Sequence, residues 1–385
     1  MGSKNTKSKK KNKIEDYEYG KMPIEKENYL LNINNSEKFF NKNKNINNPN
    51  NENNYIDKNY FIKDLISDSF CIYWLDNTFT VFTSIDKIMY LIYTNEKNSI
   101  ICYDLIDNKK IIEIKKAHNK FIHNFKYYLD SINKRDLLIS ISSDDNNLKL
   151  WNISNFECIL NLQNINNIGW LNSACLLKEN NKIYIITSNC NNANNAIIES
   201  IKIFDLNGCK INEIENSNYK TFFIENYFYD KLNNNYIITG NNGFSCSYDF
   251  KMLKIYHKYS DKDNERYNMS IFIQNIGEEL NLLETSCDGN IRLWDFHSAE
   301  LKMKIFINNY PLYAIYLWNN NYIIVGCYDG TIKIIELKSK KIIKSLLLHN
   351  NRVLTIKKLN HPKFGECFLS QNADNSHIKV WTVHI

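Results

Sequence analysis

The chain has 385 residues, 43% apolar and 13% aromatic, and 48 basic against 42 acidic side chains leave a net charge of +6. No apolar run approaches the roughly 18 residues that a membrane-spanning helix needs, and the N-terminus lacks the apolar segment of a secretory leader. Ten cysteines, at 71, 102, 158, 175, 190, 209, 246, 287, 327 and 367, include no C-x-x-C pair and no Cys/His spacing suited to zinc, so reduced thiols are expected, with no metal and no cofactor.

The charge excess is local. Lys4, Lys7, Lys9, Lys10, Lys11 and Lys13 stand in the first thirteen residues with no acid among them, and the rest of the chain balances at 42 basic against 42 acidic residues. Met1-Gly2-Ser3-Lys4-Asn5-Thr6 fits the N-myristoylation pattern M-G-x-x-x-[ST], in which removal of Met1 exposes Gly2 for acylation. One acyl chain binds a bilayer only marginally, so a second signal is needed, and each lysine near an anionic leaflet adds up to about 1 kcal/mol. Gly2 and the lysine cluster together predict a cytoplasmic, peripheral-membrane protein that touches an anionic membrane surface through its tail. The same lysines would also suit a nuclear-localisation or nucleic-acid patch, which leaves Gly2 and Thr6 unexplained. Because the remainder is neutral, nucleic acid is not the expected partner.

Next comes a short helix expected over Ile24–Leu31, after Pro23, and then an Asn/Lys-rich run over 32–54. Such a run buries too little apolar surface to offset the entropy of ordering, so residues 1–68 are predicted to be a mostly disordered tail. A strand is predicted over 69–76, from Ser69-Phe70-Cys71-Ile72-Tyr73-Trp74. Beyond it one strand ending recurs seven times, as Tyr103-Asp104, Trp151-Asn152, Phe204-Asp205, Tyr248-Asp249, Trp294-Asp295, Ile335-Glu336 and Trp381-Thr382, with gaps of 48, 53, 44, 46, 41 and 46 residues. The clearest copy has a strand over Leu280–Ser286, a turn at Cys287-Asp288-Gly289-Asn290, a strand over Ile291–Phe296 and an outer strand over Glu300–Ile307. Its Asp-Gly pair supplies the positive φ that a tight hairpin requires, and Asp329-Gly330 repeats it. Ile332-Lys333-Ile334-Ile335 alternates as a half-buried strand does.

A period of about 40–45 residues with this ending resembles the WD40-repeat family, over residues 69–385. The resemblance implies an all-β fold, a seven-bladed propeller of four antiparallel strands per blade. The last copy ends at Ile385, directly after its third strand. The 69–76 strand has no other partner, so it is expected to complete that blade and close the ring, which removes the exposed sheet edges.

The family also implies a buried set: a His before the first strand, a Ser or Thr in the second, an Asp in the turn and a Trp in the third. His118, Ser142, Asp145 and Trp151 fit it, with Ser140 the other choice for the serine. His349, Ser370, Asp374 and Trp381 fit it again, Asp374 one position early. Asp288 and Trp294 have no well-placed His, and Asp329 faces Ile335. Ser, His and Asp also make a hydrolase triad, but the repeat accounts for each as a blade staple and no G-x-S-x-G elbow is present. No enzyme activity and no small-molecule substrate are expected. Members of the family are assembly platforms, which implies protein partners. By the register of His118 and His349, loop-face contacts would come from Phe121, Trp170 and Arg352, aromatic and Arg being the anchoring residue types; packing of Phe121 and Trp170 between blades is the other use. The expectation is a non-enzymatic scaffold tethered to a cytoplasmic membrane face. Its alternative is a nuclear or RNA-processing WD40 subunit that uses the tail as a localisation or nucleic-acid patch.

Overall fold

The computed structural model describes residues 61–385 apart from 68, 70–76, 143–145, 164, 166–169, 191–199, 216–220, 242, 262–267, 277–278, 374–376 and 383–385. Gly2, the Lys4–Lys13 cluster, the helix expected over Ile24–Leu31, Asp145 and Asp374 lie outside the described residues. The rest forms seven four-stranded antiparallel sheets. Blade 1 holds Phe79–Thr83, Met89–Thr94, Ile100–Asp104 and Lys109–Ile114 in order. Blades 2 to 6 follow in the same order over 124–162, 170–215, 221–259, 268–306 and 312–347. First strands of successive blades pack against one another around the whole ring, the seventh against the first included. The protein is a seven-bladed β-propeller.

Each blade is sandwiched between two others, which explains why clean alternation is rare in the sequence. Met89–Thr94 is buried along its whole length. Leu91 and Tyr93 pack toward blade 7, with Phe79, Leu369, Ile378 and Val380. Tyr90 and Ile92 pack toward blade 2, with Phe125, Leu138 and Trp151. A strand buried on both faces reads as a continuous apolar run, and each fully buried Leu or Ile contributes about 1.5–3 kcal/mol. Among the described residues it is the outer strands that face water along much of their length, as Lys109–Ile114 does.

One turn position is under the same constraint in blade after blade. Five residues before the recurring ending stand Asn98, Asn146, Gly243, Gly289 and Gly330, with φ of 56°, 51°, 88°, 72° and 81°. A side chain there must tolerate the left-handed region, which Gly does freely and Asn better than most. At Gly289 and Gly330 there is also no room, because a Cβ would run into the Asn308 and His349 carbonyl oxygens.

The ring is closed by an N-terminal strand, but not by residues 69–76. Phe61–Ile66 pairs antiparallel with Ile378–Thr382, from Phe61 opposite Trp381 to Ile66 opposite Ile378, as the outer strand of the blade whose other strands are Val353–His361, Gly365–Asn372 and Ile378–Thr382. The propeller therefore begins inside the stretch expected to be tail. The reason is the length of the path. From the outer edge of blade 7 to the inner strand of blade 1 the chain must cross about three inter-strand spacings, roughly 14 Å. A closing strand ending at 76 would leave two residues to do it, roughly 7 Å at most. The observed strand ends at Ile66 and leaves twelve residues of chain for the crossing before Phe79. Gln371 anchors it from blade 7, its amide donating to Ser69 Oγ at 2.9 Å and accepting from Thr78 Oγ1 at 2.6 Å.

Candidate functional site

Two of the family-type sets assemble around a serine. In blade 2, His118 Nε2 lies 2.7 Å from Ser140 Oγ, and Trp151 Nε1 donates to the same oxygen at 2.8 Å. In blade 7, His349 Nε2 lies 2.6 Å from Ser370 Oγ, and Trp381 Nε1 donates to it at 2.8 Å. The serine in blade 2 is Ser140 and not Ser142, whose hydroxyl is buried with no hydrogen-bond partner among the described residues. The pleat gives the reason. Trp151 pairs with Leu138 and Trp381 with Phe368, so the residue two further on the second strand, Ser140 or Ser370, is the near neighbour on the indole's face. Ser142 is a further two residues away. Burial is the main cause that pushes both imidazoles down to about 3, so they are neutral at neutral pH and act as hydrogen-bonding pins.

Blade 5 solves the same packing problem with charge. Arg292 is fully buried, and its Nε donates to Asp261 at 2.6 Å. One terminal nitrogen donates to Ser286 Oγ at 2.8 Å, and the other reaches Asp288 at 2.5 Å. Burial opposes ionisation of Asp288, but hydrogen bonds from Arg292 and Ser286 outweigh it and hold the carboxyl at about 2. Asp261 lies on the connection entering the blade, as His118 and His349 do in theirs.

The loop face carries the candidate interaction residues. Phe121 is half-buried in the connection before blade 2. Trp170 opens the first strand of blade 3, opposite Cys190. Arg352, half-buried, lies just before blade 7 and is hydrogen-bonded to the Tyr313 hydroxyl. The three stand on different blades. Arg352 belongs to a patch that the register argument missed. Tyr328 lies between Tyr310 and Tyr313, with ring centroids 6.1 Å and 6.3 Å away and planes within about 30° in both cases. Burial is the first cause that pushes the Tyr313 hydroxyl up to about 12. Tyr310 and Tyr328 are half-buried, so the ladder runs from the interior beside Arg352 out to the loop surface. Its sequence signal was three tyrosines within nineteen positions, at 310, 313 and 328, in a connection, a strand and a turn. Among the described residues no group of three or more His, Cys, Asp or Glu is placed to hold a metal ion.

No family model matches the chain. A segment of 100 residues, 26% of the chain, is 31% identical to the U3 small nucleolar RNA-associated protein 21 homolog of Schizosaccharomyces pombe, and it spans 11% of that relative's length. This similarity corrects the expected cytoplasmic, peripheral-membrane location, because the relative is named for association with a small nucleolar RNA. The chain is a seven-bladed propeller with a local similarity to a nucleolar RNA-associated protein.

Proposed function

We propose that this protein is a non-enzymatic propeller of the WD40 type, acting as a protein-binding subunit of a nuclear RNA-processing assembly. The observation that carries the reading is the 31% identity over 100 residues to a small nucleolar RNA-associated protein. The fold suits the role, since a closed ring of seven sheets offers a broad, rigid loop face for partner proteins. The partner docks at the Tyr310–Tyr328–Tyr313 ladder and Arg352, stacked aromatics and Arg being the residue types that anchor interfaces. Phe121 and Trp170, on blades 2 and 3, are candidates for contacts elsewhere on that face. Lys4, Lys7, Lys9, Lys10, Lys11 and Lys13 serve as a nuclear address or as an electrostatic contact to RNA. The charge balance of the remaining residues makes protein the partner of the propeller itself.

Affinity purification of the tagged full chain from nuclear extract, with and without ribonuclease, tests this. Ribonucleoprotein components should be recovered, and a protein subset should survive the nuclease. Tyr328→Ala and Arg352→Ala should each lower recovery of that subset about tenfold or more while the propeller stays folded. A chain found outside the nucleus, with no ribonucleoprotein component attached, would end this reading.

A further inference from the structure

Three charged side chains meet where neighbouring sheets cannot bring them together. Lys126, Glu225 and Lys357 hold equivalent positions in the first strands of blades 2, 4 and 7. Each is joined through the second strand to the residue just before the recurring third-strand ending, as Lys126–Ile139–Leu150, Glu225–Ile238–Ser247 and Lys357–Leu369–Val380. At the same level stand Thr80 in blade 1, Cys175 in blade 3 and Tyr316 in blade 6. Lys126 makes an ion pair with Glu225, past the small side chain of Cys175 on the intervening blade. Lys357 is close enough to both for their charges to act on it. Blade 7 borders only blades 6 and 1, so a reach from it toward blades 2 and 4 runs across the lumen of the ring.

The charges do not balance. Two ammonium groups face one carboxylate, and that carboxylate is engaged by Lys126. Lys357 has no hydrogen bond or ion pair to any described residue. A half-buried ammonium without a partner is unfavourable, and its partial burial, reinforced by Lys126 and opposed by Glu225, lowers this one to about 8. An incoming anion would meet Lys357 directly and Lys126 beside it, with Thr80 and Tyr316 as hydroxyl-bearing neighbours. We propose that the lumen at this level binds a compact oxyanion between Lys357 and Lys126. Its chemistry is that of a carboxylate or an inorganic phosphate, and its source is either a free ion or an acidic side chain entering the channel.

Thermal unfolding of the full chain in inorganic phosphate, or in acetate, against sodium chloride at matched ionic strength is the test. Binding to the folded state raises the midpoint in a saturable way, whereas exclusion of phosphate from the surface raises it without saturation. Wild type should show a saturable rise. Saturation by acetate assigns the site to carboxylates, and saturation by phosphate alone assigns it to free phosphate. Lys357→Met should lose the saturable part, while Lys338→Met, at an exposed position, should keep it. Glu225→Gln should tighten binding about tenfold or more, since Lys126 is then released toward the anion. A merely structural ion pair would give no such gain. A saturable rise that persists in Lys357→Met, an unchanged affinity in Glu225→Gln, or no saturable rise in wild type beyond that in chloride would each overturn the proposal.

Discussion

Blades 2 and 7 are pinned by neutral groups, and blade 5 by a buried ionic network at the equivalent place. In all three, a group on the entering connection is tied to the second and third strands: His118 and His349 through Ser140 and Ser370, Asp261 through Arg292. What repeats is a position, not a residue type. The third strand shows it again. Two residues before the recurring ending, Lys149 donates to Ala117 O at 2.6 Å, Lys202 to Ile165 O at 2.7 Å and Lys379 to Leu348 O at 3.4 Å, each lacing down the connection that enters its blade. Arg292 is the same position in blade 5, and its longer fork reaches a carboxylate instead of a carbonyl. The two solutions differ in risk. A neutral pin that loses one member leaves a hydrogen bond unmade, whereas an ionic one leaves buried charge behind.

The largest way to break the comparison is Arg292→Met, which strands Asp288 and Asp261 without their guanidinium. A loss of about 3–5 kcal/mol is expected, measurable by denaturant unfolding. If Arg292→Met costs no more than Ser370→Ala, the two kinds of pin are energetically alike.

Acid separates the blades next. Both histidines have folded values near 3 against an ordinary value of 6.5, so between those limits the unfolded chain binds more protons. Their contribution is complete above about pH 6.5 and is lost as pH falls toward 3, at up to about 1.4 kcal/mol per pH unit for each histidine. Asp288, held at about 2 against 3.8, gives up its share only below about pH 4. A chemical-denaturation series should therefore show a slope from pH 7 to 5 that His349→Asn reduces, with the Asp288 contribution lost only below about pH 4.

A smaller effect sharpens the assignment of the serine. Ser140→Ala leaves His118 Nε2 and Trp151 Nε1 without their shared oxygen and should cost about 1–3 kcal/mol. Ser142→Ala removes a hydroxyl that bonds to nothing described and should change stability by less than about 0.5 kcal/mol. Equal losses at the two positions would mean that the pin is built differently from what is seen here.

The propeller was legible in the sequence because every blade closes its third strand on an aromatic or apolar residue, and five of the seven show a left-handed residue five positions earlier. The closing strand was misplaced because strand propensity over 69–76 says nothing about the distance that the chain must cover afterwards. His349, Ser370 and Trp381 could be read from the repeat. The choice between Ser140 and Ser142 needed the pairing register, since both have the right parity. Asp261 carries no repeat signal at all, being set in a connection 31 residues before the guanidinium it binds. Lys126 and Lys357 were hidden for a compositional reason, as two among 44 lysines, and only the ring brings them to one level. The tyrosine ladder was hidden because Tyr310, Tyr313 and Tyr328 meet across a connection, a strand and a turn that no linear period relates.

The closing strand sets the order in which the molecule can be made. Consecutive strands within a blade are separated by at most nine residues of chain and can pair as soon as they are synthesised, whereas Ser69 and Gln371 meet across 302 residues of chain. Such a long loop is entropically late to close, and contacts of that separation slow folding. Until Ile378–Thr382 emerges, the nascent chain is an open arc, with the faces of blades 1 and 7 bare and the outer strand of blade 7 waiting unpaired. The last event in folding is then a latch, and the same latch, held by one strand with two irregularities in its register, is where the finished ring would first come undone.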